Sequence, residues 1–334
     1  MMQTKIPMSK VVSAAASHLV DKSVGIEDAR WIAKMAVRAE AMGRTTHGLS
    51  QIFWLCGQIP ESVDPARQPK IEFDNGAAVG IDIAGGIGQL GIRMALELAP
   101  SRAAKHGVVS IGISRTSWIG APGAFLLDLV EQGLLAQMHA QNSNCKDCAP
   151  VGGIDSRFST NPIALGFPTG SDPVLAEFST ATMSLAQANQ LIAADERARY
   201  PAFIDEHGVE TTDPTVMQRG GSMHFMGESQ TGHKGYALSL WCEALVAMTG
   251  GSCNNPEAPA RQSLFITVMD PECFTGRDRY FKEIKRFMGH LKSSRRRPGV
   301  EQIRLPGERS ATLLREAERG GLSLDEDKLN RLGL

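Results

Sequence analysis

The run Arg44-Thr45-Thr46-His47-Gly48 places a hydroxyl, an imidazole and a glycine in consecutive positions just after a helical segment. Imidazole titrates near neutrality, so His47 can pass a proton to a developing alkoxide or amide. The glycine after it opens the backbone. The histidines at 18, 106, 139, 207, 224 and 290 have no comparable setting; His233, flanked by Gly232 and Lys234, is the exception. A second pattern is Gly86-Ile87-Gly88-Gln89-Leu90-Gly91, a literal G-x-G-x-x-G between a strand-like and a helix-like segment. In a Rossmann unit such glycines bring a pyrophosphate onto a helix N-terminus. That fingerprint also needs an acidic residue about 20 positions on. Here the region reads VVSIGISRTSW, without Asp or Glu. The expectation is therefore a glycine turn. Cys145 and Cys148 form C-K-D-C, but no second pair completes a zinc set and the flanks read as a loop. No metal site and no thiol chemistry are expected.

The elements that must position these residues alternate. Helices are expected over 8–22 and 26–43, the second ending at Gly43. A turn-rich stretch, Pro60 to Pro69, follows. AAVGIDIAGG reads as strand and turn, IRMALELAPSRAAKHG as helix, and VVSIGIS as strand. FLLDLVEQG, LLAQMHA and NPIALGFP continue the alternation, which points to an α/β class. GYALSLWCEALVAMTGG is an apolar helix expected to be buried in core or interface. SLFITVMD is a strand, RDRYFKEIKRFMGHLKSSRRR a basic amphipathic helix, and ATLLREAERGG the last helix. The basic run Lys292 to Arg297 reads as a solvated helix end.

Composition narrows the function classes. Lys+Arg is 35 against Asp+Glu 36, a formal net charge of −1, so the excess of cations that a general nucleic-acid binder needs is absent. No apolar run approaches the ~18 residues of a membrane span. The N-terminal apolar patch is interrupted by His18 and has no signal-peptide core. Six cysteines in 334 residues fit a reducing compartment. A cytoplasmic protein is expected, with no nucleic-acid or membrane partner.

Nine segments, in order, carry a resemblance: AEAMGRTTHGLSQ, GGIGQLG, SRTSWIGAPGAF, QNSNCKDCAPVGG, STNPIALGFP, EFSTATMS, FIDEHGVETTDP, GHKGYALSL and LPGERS. From about residue 8 to 330 the chain resembles the malate/L-lactate dehydrogenase family that is not built on the ordinary Rossmann fold. Its relatives include ureidoglycolate, sulfolactate and diketogulonate oxidoreductases and pyrroline/piperideine-2-carboxylate reductases. The resemblance implies an α/β, non-Rossmann fold with a central nucleotide-binding region (71–264) and helical terminal segments (1–70 with 265–334) that form the substrate and dimer domain. It implies a homodimeric oxidoreductase that uses NAD or NADP to move hydride to or from a small 2-oxo or 2-hydroxy acid. Cyclic imino-acid reduction is the alternative, and a cofactor-binding protein without turnover is another. His47 would be the proton donor and Thr46, in place of the family's serine, its orienting partner. Gln51 and Thr160 would meet substrate. Trp118, Gly120, Glu177, Phe178, Ser179, His233, Lys234, Gly307 and Glu308 would meet the dinucleotide.

Several positions depart from the family pattern. Gln51 stands where relatives carry an arginine able to pair with a substrate carboxylate. Trp118 replaces a histidine, Glu177 an aspartate, and Ala186-Gln187-Ala188-Asn189 replaces A-R-G-K. The expected pocket is therefore less cationic and suits a bulkier or aromatic-stacked substrate. Arg115, Arg197 and Arg199 are candidates to read a 2′-phosphate, which leaves NAD against NADP open.

Overall fold

The computed structural model describes residues 5–334. Elements run β1 (Lys5–Ile6), α1 (Met8–Val20), α2 (Ile26–Ala41), α3 (Leu49–Gln58), β2 (Lys70–Asp74), β3 (Ala78–Asp82), α4 (Gly88–His106), β4 (Val108–Thr116), α5 (Pro122–Glu131) and β5 (Leu135–Asn142). There follow β6 (Ile163–Phe167), β7 (Val174–Phe178), α6 (Leu185–Ala193), β8 (Phe203–Ile204), β9 (Glu210–Thr211), β10 (Ser222–Met223) and α7 (Glu228–Thr231). The last are α8 (His233–Ala247), β11 (Gln262–Met269), α9 (Arg277–Lys292), α10 (Glu308–Gly320), β12 (Leu322–Ser323) and α11 (Glu326–Leu332).

One seven-stranded sheet, ordered β2-β3-β4-β11-β5-β6-β7, forms the middle. Only the β3–β4 pair is parallel, joined by the crossover helix α4; every other neighbour is antiparallel. β11 lies between β4 and β5 and is buried along both faces, which its apolar residues Leu264, Phe265, Ile266 and Val268 suit. The domain boundary expected at 265 falls inside this strand, whose pairing belongs to the sheet.

The glycine motif serves packing. A Cβ on Gly91 would lie 2.8 Å from Ile113 Cγ2, and one on Gly88 2.7 Å from the Ser117 carbonyl oxygen. These glycines let α4 approach β4 closely. None of them reaches the candidate site described below.

Two apolar cores meet along α2. Met35, Ala39 and Met42 face the sheet core. Ile32, Ala33, Ala36 and Val37 face a helical core shared with α1, α3 and α11. The spacing of three and four residues splits the helix surface into those two faces. Glu27 and Asp28 favour its N-terminus, and Gly43, at φ +81°, turns the chain out of it. The segment after α2, including His47, therefore emerges at the seam between the cores.

One expectation needs correcting: ATLLREAERGG is not the last helix, since α11 follows it. The apolar helix α8 is buried on one side and leaves Leu240, Trp241 and, just past its end, Met248 exposed, Trp241 by 56%. Among the described residues no helix is long and apolar enough to cross a membrane.

Candidate active site

The loop between α2 and α3 is held at one end by the Glu40 carboxylate and at the other by its ion-pair partner Lys328. Glu40, on the last turn of α2, accepts the Leu49 N–H on Oε2 at 3.0 Å, filling an open donor at the start of α3. Its other oxygen pairs with Lys328 Nζ at 2.6 Å, and the same ammonium donates to the Thr45 carbonyl at 3.3 Å. Gly48 must lack a side chain, because a Cβ there would lie 2.6 Å from Glu40 Oε2. Within this clamp, Thr46 Oγ1 and His47 Nδ1 share a hydrogen bond of 2.6 Å. A hydroxyl can donate to the neutral ring and accept from the protonated one, so it orients both states. The Nε2 nitrogen makes no hydrogen bond among the described residues. Burial, and then the charge of Arg44, hold the His47 pKa below its ordinary value.

His47 forms part of the wall of a cleft of about 490 Å3, a size ordinary for small-molecule sites, which run from about 300 to 1,000 Å3. Beside it stands Trp118, ring centroids 5.5 Å apart and edge-on, and beyond that Trp54 of α3, again 5.5 Å and edge-on. The backbone around Trp118 is pinned from two sides. Gln89 of α4 donates to the Trp118 and Ile119 carbonyls at 3.3 and 3.1 Å, and the Ile119 N–H donates to Gln262 Oε1 at 3.0 Å. Gly120, at φ +87°, passes so close that a Cβ would sit 2.7 Å from the His47 carbonyl oxygen.

The opposite wall comes from the ends of β5 and β7 and the segments after them. Glu177 Oε2 accepts from the Gly123 N–H at 3.2 Å and faces Arg44 Nε at 3.6 Å. Burial pushes the Glu177 pKa up, against Arg44 and the Gly123 N–H. Thr160 is set by Asn161, a non-glycine residue at φ +35° whose buried amide donates to Ser239 and to Glu243 Oε1. Ser179 Oγ donates to the Thr160 carbonyl at 3.1 Å. Asp147 also lines the cleft, and burial raises its pKa to about 6.

The predicted residues divide. His47, Trp118, Gly120, Thr160 and Glu177 line one cleft, with Thr46 bonded to His47 and Ser179 bonded to Thr160. Phe178, on the same strand as Glu177, is half-buried and outside the lining. Gln51 is not on the cleft wall; it is buried behind His47 and its amide donates to the Trp118 carbonyl at 3.3 Å. His233 and Lys234 are exposed on the first turn of α8, away from the lining. Gly307 and Glu308 open α10 against β7, where the Leu175 N–H donates to the Pro306 carbonyl at 3.1 Å. Arg115 is engaged by Asp82 at 2.5 and 2.8 Å. Trp54, Asp147 and Arg261 also line the cleft and were not anticipated. No local pattern marks them, because distant segments bring them together.

The fold finds counterparts among solved structures. The malate dehydrogenase structure from Pyrococcus horikoshii is 25% identical, with a TM-score of 0.85 over 99% of this chain and 96% of that one. The Entamoeba histolytica malate dehydrogenase structure, at 18% identity and a TM-score of 0.90 over 99% and 96%, has the same fold. Among curated proteins, an L-lactate dehydrogenase from Cupriavidus necator is 27% identical over 318 residues, 92% of this chain and 90% of that protein. A Δ1-pyrroline-2-carboxylate/Δ1-piperideine-2-carboxylate reductase from Pseudomonas putida is 28% identical over 318 residues, 91% and 89%. The class is thus an oxidoreductase on a mixed, non-Rossmann α/β fold. The model of one family, described as malate/L-lactate dehydrogenase, matches residues 6–333, and the chain belongs to that family.

Proposed function

We propose that the chain is a nicotinamide-dependent reductase or dehydrogenase of 2-oxo or 2-hydroxy acids, with His47 as the group that moves the proton. The observation that carries this reading is the Thr46–His47 pair set into the wall of a cleft large enough for a dinucleotide ring and a small reactant. The wall suits such a cofactor: Ser117, Asn142, Ser143, Ser184 and Asn189 supply hydroxyls and amides, and Gly120 leaves room beside His47. The bound dinucleotide would supply or accept the hydride. The residues of this chain do the rest. Trp118, Gly120 and Glu177 hold the ring, with Phe178 and Ser179 behind them. His47 Nε2 gives a proton to the substrate oxygen in reduction and takes it back in oxidation, while Thr46 fixes the imidazole through Nδ1. The helical ends of the chain carry the proton donor, and the sheet region carries the dinucleotide. The uncovered side of α8, with Leu240, Trp241 and Met248, is the face proposed for a second copy in a homodimer.

A cyclic imino acid is a second reading, favoured by one observation. Trp118 and Trp54 line the cleft next to His47 as two successive indoles, a wall that a flat ring covers better than a short acid does. The test is NADH and NADPH consumption with a panel of pyruvate, oxaloacetate, phenylpyruvate and the pyrroline and piperideine carboxylates. Turnover with at least one of them, falling ~100-fold or more in His47→Ala, is expected. A His47→Ala rate near wild type refutes the assigned role. Efficient malate or lactate oxidation contradicts the bulky pocket.

A further inference from the structure

Asn142, Ser143, Cys145, Asp147 and Thr160 line one wall of the cleft, and all but Asn142 lie outside helices and strands. Backbone without a ladder must find its hydrogen-bond partners among side chains. Here those side chains converge on one carboxylate, Glu243 of α8. Glu243 is buried, and among the described residues no cation pairs with it. A buried carboxylate without a counter-charge is costly and persists where its hydrogen bonds are made. No residue of α8 lines the cleft, so Glu243 acts from behind the wall.

Each of its oxygens serves a different segment. Oε1 accepts from the Asn161 amide at 3.0 Å, and that amide also donates to Ser239 Oγ at 2.9 Å. Asn161 Oδ1 accepts from Ser159 Oγ at 2.8 Å, and Ser159 Oγ accepts the Asn142 N–H at 3.4 Å. These bonds hold Asn161 at φ +35°, a backbone state that persists only where its surroundings impose it, and Thr160 stands immediately before it. Oε2 accepts the Asn254 N–H at 3.0 Å. The Asn254 side chain accepts the Cys145 N–H at 2.8 Å and donates to the Cys145 carbonyl at 2.8 Å and the Arg157 carbonyl at 2.6 Å. It thereby brackets the loop that carries Asp147. The loop of His47 is held separately, by Glu40 and Lys328.

We propose that Glu243 is a positioning residue for substrate binding, holding Thr160 and the segment 142–147 in the arrangement that receives the reactant while touching neither reactant nor proton donor. This rests on the function proposed above and on the substrate contact expected of Thr160. A carboxylate is required because both its oxygens accept; a glutamine in its place would turn a donor toward the Asn161 amide or the Asn254 N–H. The two walls then have separate duties: the Glu40–Lys328 clamp places the proton donor, and Glu243 sets the affinity for the reactant.

The test pairs amide hydrogen exchange with steady-state kinetics on whichever reactant of the panel wild type turns over. In Glu243→Gln, exchange should quicken over 142–147 and 158–162 and stay unchanged over 44–51. KM for the reactant should rise about 10-fold or more, with kcat within about 3-fold and dinucleotide affinity unchanged, the signature of lost uniform binding. Asn254→Ala cuts one arm only: exchange should quicken over 142–147 alone, with a smaller rise in KM. It carries the test by itself if Glu243→Gln does not fold. Glu243→Asp keeps two accepting oxygens and should recover part of both effects. Three results overturn the proposal: unchanged exchange in these segments, a fall in kcat with KM unmoved, or a loss confined to dinucleotide affinity. If wild type turns over none of the panel, the proposed function fails, and the exchange result alone decides whether Glu243 holds this wall.

Discussion

Lys328, on the last helix, and Glu40, on the helix leading into the loop that carries His47, form a buried ion pair of 2.6 Å that ties the C-terminal segment to that loop. Glu40 holds Leu49 and Lys328 holds Thr45, so the pair grips the loop on both sides of the histidine. Removing one partner of a buried pair leaves the other uncompensated, at a cost of about 3–5 kcal/mol. Lys328→Met should therefore lower the melting temperature. It should also reduce kcat by about 10-fold or more through loss of loop geometry, while the KM for the dinucleotide changes little. The double variant Glu40→Gln/Lys328→Met should recover part of the stability, because no isolated charge remains, and less of the rate. Thermal melts and steady-state kinetics on the three variants check this. A kcat equal to wild type in Lys328→Met would show that the clamp is not needed for positioning.

The electrostatics of His47 predict a pH profile. Burial first, and Arg44 second, depress its pKa below 6.5. With His47 as the proton donor proposed above, reduction would need the protonated ring, so kcat/KM for reduction should fall as pH rises through that depressed value, and oxidation should rise through the same inflection. Arg44→Gln removes the second cause and should move both inflections to higher pH. Unmoved inflections would mean that another group gives the limb.

These relationships differ in how far they can be read along the chain. The local signals were strong where one element decides its own environment. The α2 periodicity, the apolar residues of β11 and the glycines at 88 and 91 each reflect packing decided within a single element. The hydroxyl–imidazole–glycine run at 46–48 was visible because its chemistry is contiguous. What was hidden depends on closure over long separations. Lys328 meets Glu40 across 288 positions, and Arg261 meets Ser62 across 199. Nothing in EDKLNRL or in APARQ distinguishes either residue from a solvated one. The short helices α3 and α11 were missed for a related reason, since each is stabilised by the helical core more than by its own sequence. Gln51 was assigned to substrate by its position in the motif, but the first turn of α3 turns it inward, toward Trp118.

A further prediction concerns stability and lies outside the cleft. His139, on β5, is buried, its Nε2 has no partner, and burial lowers its pKa from 6.5 to about 4. The folded state then binds fewer protons than the unfolded chain between those values. The stability that comes from keeping this ring neutral is fully present above pH 6.5 and is lost as pH falls toward 4, amounting to about 3 kcal/mol at most. Asp147, raised to about 6, acts in the opposite sense between about 4 and 6. The measurement is therefore the difference between wild type and His139→Gln in urea melts at several pH values. That difference should shrink steadily below pH 6.5, and a constant difference would contradict a neutral buried His139.

Gly120 offers a way to move His47 without touching it. Its φ of +87° disfavours any side chain, and a Cβ would also strike the His47 carbonyl oxygen at 2.7 Å and crowd Gln51 Cγ at 3.2 Å. Gly120→Ala thus combines backbone strain of about 1–3 kcal/mol with a push on the loop that carries His47. Gly152 separates the two effects, because it has nearly the same φ, +86°, yet nothing lies within 4 Å of its added Cβ. Gly152→Ala should lose stability alone. Gly120→Ala should lose a similar amount and in addition drop kcat by about 10- to 100-fold, the scale of an ångström-sized misplacement. Equal activity in the two alanine variants would show that the close passage of Gly120 past His47 has no bearing on proton transfer.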